Sequence, residues 1–183
     1  MRESICLLFF ICMERIFSME SYEHVTHTFT PIFDNSSRIL ILGSFPSVKS
    51  REQQFYYGHP QNRFWKLLAL LLSDTCPTTI PEKQIFLLRH HIAVWDVIAS
   101  CDIIGSSDSS IRNVIPADIG CILSAAPIAA VFANGATAYR LYQKYVFPKT
   151  SFPAEKLPST SPANAAFSIE KLQDDWNVIL QYL

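Results

Sequence analysis

Residues 38–43 read Arg-Ile-Leu-Ile-Leu-Gly, an unbroken apolar run closed by a glycine. A strand with no polar face must be covered on both sides, as strands of a parallel sheet are. Similar runs follow at 92–97, at 128–133 and, more weakly, into Leu157. Stretches with helical signals separate them. Residues 62–73 are apolar almost all round, as in a buried helix. Residues 81–91 open with Pro81 at a favourable first-turn position. Residues 116–126 and 135–146 come next, the latter with Ala138, Leu141, Tyr142 and Tyr145 on one stripe. In the last helix Ile169, Leu172, Trp176, Ile179, Leu180 and Leu183 recur at three- and four-residue spacing behind Ser168, a fitting N-cap. Strands alternating with helices predict an α/β domain: three α/β/α layers around a central, mainly parallel four-stranded sheet.

No repeat or linker divides the chain. With 183 residues, 49% apolar and 17% charged, it is long enough for a full core and too apolar for disorder. The first eighteen residues stand apart. Residues 5–13 are apolar but too few to span a membrane. Only Arg2 precedes them, and no A-x-A site follows as a secretory signal would require. Met13 and Met19 are alternative starts, so the reading sets a dubious extension over 1–18 and a single domain over 19–183. The cysteines (Cys6, Cys12, Cys76, Cys101 and Cys121) are odd in number and contain no C-x-x-C. They offer no disulfide framework and no ligand set for zinc or an iron–sulfur cluster. Buried small hydrophobes in a reducing cytosol are the expectation. The protein is thus expected to be cytoplasmic, monomeric, and without a metal, an organic cofactor or a membrane partner.

In a sheet of this kind ligands sit beyond the carboxyl ends of the strands. That singles out residues 43–47, 96–108, 134–135 and 157–164. Gly43-Ser-Phe-Pro-Ser47 turns sharply, and its amides and hydroxyls suit an anion or a flat ring, or simply a turn. It is not a G-x-S-x-G elbow, and no Walker A or G-x-G-x-x-G is present. With a net charge of −1, any contact to a polyanion must come from a local patch. One exists: Lys49, Arg51, Arg63 and Lys66, opposed by Glu52, surround Phe55-Tyr-Tyr-Gly-His-Pro-Gln-Asn-Arg-Phe-Trp65. Basic and aromatic residues together bind phosphates and stack bases. Phe64 and Trp65 read as helix core. A ligand role is favoured for Tyr56, Tyr57, Gln61 and Asn62, although Asn62 suits an N-cap equally well. Leu157-Pro-Ser-Thr-Ser-Pro-Ala-Asn164 is either an ordinary connection or a rigid loop whose Ser159, Thr160 and Ser161 grip phosphates. Asp96 and Asp108, beyond strand ends, suit a base contact, a general base or a turn cap.

Gly43-Ser-Phe-Pro-Ser47, Tyr57-Gly-His-Pro-Gln-Asn-Arg-Phe-Trp65 and Leu157-Pro-Ser-Thr-Ser-Pro162 together resemble the uracil-DNA glycosylase superfamily, in particular its hypoxanthine-DNA (DNA-deoxyinosine) glycosylase branch. The first segment resembles motif 1, the second the H-P-x-N-R-F-W block, and the third lies where motif 2 belongs. The likeness runs from about His27 to the C-terminus. It implies the uracil-DNA glycosylase fold and a monofunctional glycosylase that flips a deaminated base, hypoxanthine foremost, from damaged DNA and hydrolyses its N-glycosidic bond. By matching, Asn62 supplies the essential amide, holding the water or the leaving base, and Tyr57 the ring that stacks on the flipped base. Ser44 and Phe45 would meet the base edge. Ser47, Lys49, Arg63, Ser159, Thr160 and Ser161 would meet phosphates or the minor groove. Two positions depart from the wider superfamily: Phe45 stands where many members carry a water-activating Asp or Asn, and Leu157 where motif 2 often begins with His or Asn. Both departures weigh against strong uracil excision and lend support to one rival reading, a non-cleaving nucleic-acid-binding module; a uracil or xanthine glycosylase on the same scaffold is the other.

Overall fold

A computed structural model describes residues 21–183, so the segment 1–18, with its apolar run, Cys6, Cys12 and Met13, lies outside the described residues, as does Met19. Four strands form a wholly parallel sheet: β2 (Ile39–Gly43), β3 (Ile92–Asp96), β6 (Ala130–Asn134) and β7 (Ala154–Leu157), in the order β3-β2-β6-β7. Residues 39–43 of the first apolar run make the second strand in that order and are buried throughout, while Arg38 before them is exposed. Its alternate side chains face opposite cores. Ile39 and Ile41 pack with Phe64, Leu67 and Leu68 of α2 (Phe64–Leu71), Phe86 and Leu87 of α3 (Ile80–Arg89), and Leu172 and Trp176 of α7 (Ile169–Trp176). Leu40 and Leu42 pack on the other side with Ile122 of α4 (Ile119–Ala125) and Leu141 and Tyr142 of α5 (Ala136–Tyr145). This is the three-layer α/β/α arrangement that an all-apolar strand requires.

The helix signals act where they stand. The Thr79 hydroxyl accepts from the Glu82 N–H at 3.3 Å while Glu82 returns to the Thr78 and Thr79 amides, closing a capping box with Pro81 in the first turn. Ser168 caps α7 through the Lys171 N–H at 3.3 Å. That helix ends at Trp176 and tightens into a 3₁₀ turn over Asn177–Tyr182, so the C-terminal stripe is not one α-helix.

Further elements were not anticipated. α1 (Val48–Gln53) follows the first turn and a short α6 (Phe147–Thr150) follows α5. The 96–108 stretch is only partly loop: β4 (Ile98–Ile103) pairs antiparallel with β1 (Glu23–Thr26) and β5 (Arg112–Pro116) in a second, three-stranded sheet. The helix expected from Pro116 therefore starts at Ile119, because residues 112–116 belong to this edge strand. Among the described residues no helix is long and apolar enough to cross a membrane.

Candidate active site

A cavity of about 320 Å³ opens at the carboxyl ends of the parallel strands. Its lining includes residues 43–47 after β2, Asp96 at the end of β3, Asn134 at the end of β6 and residues 159–163 after β7. Tyr56, Tyr57, His59 and Asn62 from the aromatic block line it as well, as does Asp108. The segments singled out from strand ends and from the aromatic block thus share one space.

Tyr57 adopts φ +52°, a left-handed backbone uncommon for a residue with a large side chain. The twist lays its ring on Phe64, with centroids 3.8 Å apart and planes 22° from parallel. Its hydroxyl is buried without a hydrogen-bond partner. Burial, with the charge of Asp96 adding to it, pushes this phenol far above its ordinary range, so it remains a proton donor. Tyr56 differs. It is almost fully buried and donates its hydroxyl to the Thr30 carbonyl at 2.9 Å, so it lines the cavity with that hydroxyl already engaged. Gln61 is exposed and does not line the cavity.

Asn62 precedes α2, and its Oδ1 accepts the Phe64 N–H at 3.0 Å. The two roles left open for it are therefore compatible. The oxygen serves the first turn, and the two Nδ2 donors stay available to the cavity.

Arg63 does something the sequence did not suggest. Its Nε donates to the Thr160 carbonyl (3.2 Å), Nη1 to that of Phe167, and Nη2 to those of Ser161 (2.6 Å) and Asn164 (3.1 Å). A guanidinium engaged by four carbonyls clamps the 158–167 loop and offers little to a phosphate. Thr160 is fully buried, and its Oγ1 accepts from Asn134 Nδ2 at 3.0 Å while its N–H donates to Asn134 Oδ1 at 2.9 Å. For Arg63 and Thr160 the expected phosphate contact is replaced by loop bracing. Asn134, whose signal was only its place after the third apolar run, ties that loop to the sheet. Ser159 and Ser161 line the cavity, and each hydroxyl accepts a loop amide (Ser161 N–H at 3.2 Å, Ala163 N–H at 3.3 Å), which leaves the O–H able to donate.

The remaining residues fall around this frame. Ser44 Oγ donates to Asp108 Oδ1 at 2.8 Å. Partial desolvation raises the Asp108 carboxyl above the ordinary aspartate range, the Ser44 bond opposing and Asp96 reinforcing the rise. Phe45 is buried and meets the His27 ring edge-on. Ser47 caps α1, accepting from the Ser50 N–H at 3.2 Å. Lys49 is exposed and paired with Glu52 at 2.7 Å.

Such a sheet, with an aromatic ring, a side-chain amide and a serine loop gathered in one cavity at its strand ends, leads from the fold to a family. The chain belongs to the uracil DNA glycosylase superfamily, whose family model matches residues 30–183. It is 31% identical over 156 residues to a hypoxanthine DNA glycosylase from Methanosarcina acetivorans, spanning 84% of this chain and 97% of the relative. It is 35% identical over 86 residues to a hypoxanthine DNA glycosylase from Methanosarcina barkeri, covering 46% of this chain and 54% of that one. The solution NMR structure of a candidate uracil DNA glycosylase from Methanosarcina acetivorans matches with a TM-score of 0.70 and 29% identity. That match covers 83% of this chain and 96% of the other. The expected family and fold are borne out.

Proposed function

We propose that the protein is a monofunctional DNA glycosylase of base-excision repair that flips a deaminated base, hypoxanthine foremost, and hydrolyses its N-glycosidic bond. The observation that carries this reading is the convergence of Tyr57, Asn62 and the Ser159–Ser161 loop on one cavity. The relatives named as hypoxanthine DNA glycosylases support the choice of base. Flipping costs a few kcal/mol, least for a mispaired base, which favours damage over normal DNA.

The flipped base would stack on the cavity side of Tyr57, whose other face is held by Phe64. The segment around Ser44 and Phe45 would meet its edge. As the bond breaks, negative charge builds on the base, and the Asn62 Nδ2 group is the kind of donor that stabilises it. Ser47, Ser159 and Ser161 would donate to phosphates flanking the lesion, with Lys49 outside them. The reaction consumes only water, so the reading calls for no metal or organic cofactor.

The same reading takes the active unit as residues 19–183, a monomer. Cys76, Cys101 and Cys121 are unpaired, which suits a reducing, cytoplasmic setting, although only Cys101 is the buried small hydrophobe expected; Cys76 and Cys121 are exposed. The test is release of free base from a duplex oligonucleotide carrying one deoxyinosine, run beside uracil and xanthine substrates. Hypoxanthine should be released fastest, leaving an alkali-labile abasic site. Release of uracil or xanthine alone would move the protein to a different substrate. Tight binding without release would make it a binding module, as the apolar Phe45 and Leu157 would allow.

A further inference from the structure

The motif 1 position that could activate water is Phe45, and the Asn62 oxygen is already engaged by Phe64. The described cavity nevertheless contains a buried carboxylate. Asp96 is 5% exposed, lines the cavity, and has its Oδ2 3.0 Å from His27 Nε2. The His27 side chain is 3% exposed, and its ring is wedged among Phe29, Phe45 and Tyr56 at centroid distances of 4.3, 6.3 and 6.0 Å. A ring so confined fixes the carboxylate from one side.

From the other side the strand itself makes room. Gly43 and Asp96 are register partners across β2 and β3. A Cβ on Gly43 would lie 2.1 Å from Asp96 Oδ1 and 3.7 Å from the Tyr57 hydroxyl. The glycine that ends the founding apolar run is therefore required by a carboxylate, not only by a turn. It leaves Asp96 Oδ1 and the unpartnered Tyr57 hydroxyl beside the same small space at the floor of the cavity.

We infer that Asp96 is the proton acceptor for the attacking water and that His27 is its positioning residue. This inference rests on the glycosylase reading above. The water oxygen bonds to C1′ of the sugar while the C1′–N bond breaks, its electron pair leaving with the base. The water's proton passes to Asp96 and from there to solvent, and the departing base takes a proton from solvent. His27 donates Nε2–H to Oδ2, which leaves Oδ1 turned to the water. Asp96 takes over from β3 the work that motif 1 cannot do with Phe45.

The experiment uses the full chain and a deoxyinosine duplex, measuring single-turnover base release, affinity by fluorescence anisotropy, and melting temperature. Wild-type release is the arm that tests the glycosylase reading, and without it that reading falls first. Given release, Asp96→Asn should lower the rate about 100-fold or more, within the range for losing a general base, with affinity within about threefold. His27→Ala should lower the rate about tenfold at unchanged affinity, and His27→Gln, which restores a side-chain N–H donor, should recover most of it. Asp96→Asn releasing base within about threefold of wild type would overturn the inference, as would equal losses in His27→Ala and His27→Gln. Should Asp96→Asn fail to fold, Gly43→Ala is read in its place, because the new methyl displaces the carboxylate without removing it. A wild-type rate in folded Gly43→Ala overturns the inference; a rate loss at retained affinity supports it.

Discussion

Asn62 shows how one side chain serves two masters at opposite ends. Its oxygen satisfies an N–H that the start of α2 leaves unpaired, while the residue lines the cavity and its nitrogen is the donor proposed for the leaving base. Asn62→Ala should therefore cost twice. The rate of base release should fall about 10²–10³-fold, the usual loss for one preorganised donor. Stability should fall by roughly 1 kcal/mol, the loss of a helix-start hydrogen bond. Asn62→Asp separates the two, since it keeps the oxygen for Phe64 and removes the donor. It should melt near wild type and release base as slowly as the alanine variant. A folded Asn62→Asp with a wild-type rate would leave Asn62 a helix cap only. The sequence showed both possibilities but not their compatibility, because that depends on which end of the amide turns toward Phe64.

At the scale of elements, Arg63 joins the start of α2 to the 158–167 loop nearly a hundred residues later. Removing a guanidinium with four carbonyl partners strands those carbonyls, so Arg63→Ala should cost about 3 kcal/mol. Proteolytic nicking and faster amide exchange should appear first between residues 158 and 167. Arg63→Lys discriminates the brace from a phosphate contact. A lysine keeps the charge but cannot bridge four acceptors in a fixed plane, so it should not restore the melting temperature or the loop's protection. Were Arg63 a phosphate ligand, lysine would preserve binding and the loop would be unaffected. Elements differ in how plainly the sequence shows them. β2 is legible because every side chain in it is apolar. β4 and β5 are not, because shifts in their register break the alternation between Ile98, Ser100 and Asp102, and β5 is largely exposed. Likewise the positions of Gly43, Tyr57 and Asn62 at a ligand site follow from local sequence. The pairing of His27 with Asp96 does not, because those residues meet only once β1 is laid against β4, the strand that follows Asp96.

Over the whole molecule the charge of −1 makes local cations decisive for DNA. The basic patch around the aromatic block looked like four phosphate contacts. Arg63 is turned inward, and Arg51 donates to the Gly105 carbonyl at 3.3 Å. Lys49 and Lys66 remain exposed. Replacing both with glutamine should flatten the log–log salt dependence of binding by about 2, since each neutralised phosphate adds roughly 0.9 to the slope. An unchanged slope would direct the search for the DNA path to another face. The loop that closes the cavity has one more attachment: the Trp176 indole donates to the Pro158 carbonyl at 2.9 Å from the fully buried end of α7. The wall is thus held by a residue the ribosome adds after every residue proposed for catalysis. A nascent chain emerging through Asn164 carries all of those residues, yet it lacks the indole that holds Pro158. A tryptophan codon becomes a stop by one base change, and at position 176 that change would leave a product with its reactive groups intact and its cavity wall short of one anchor.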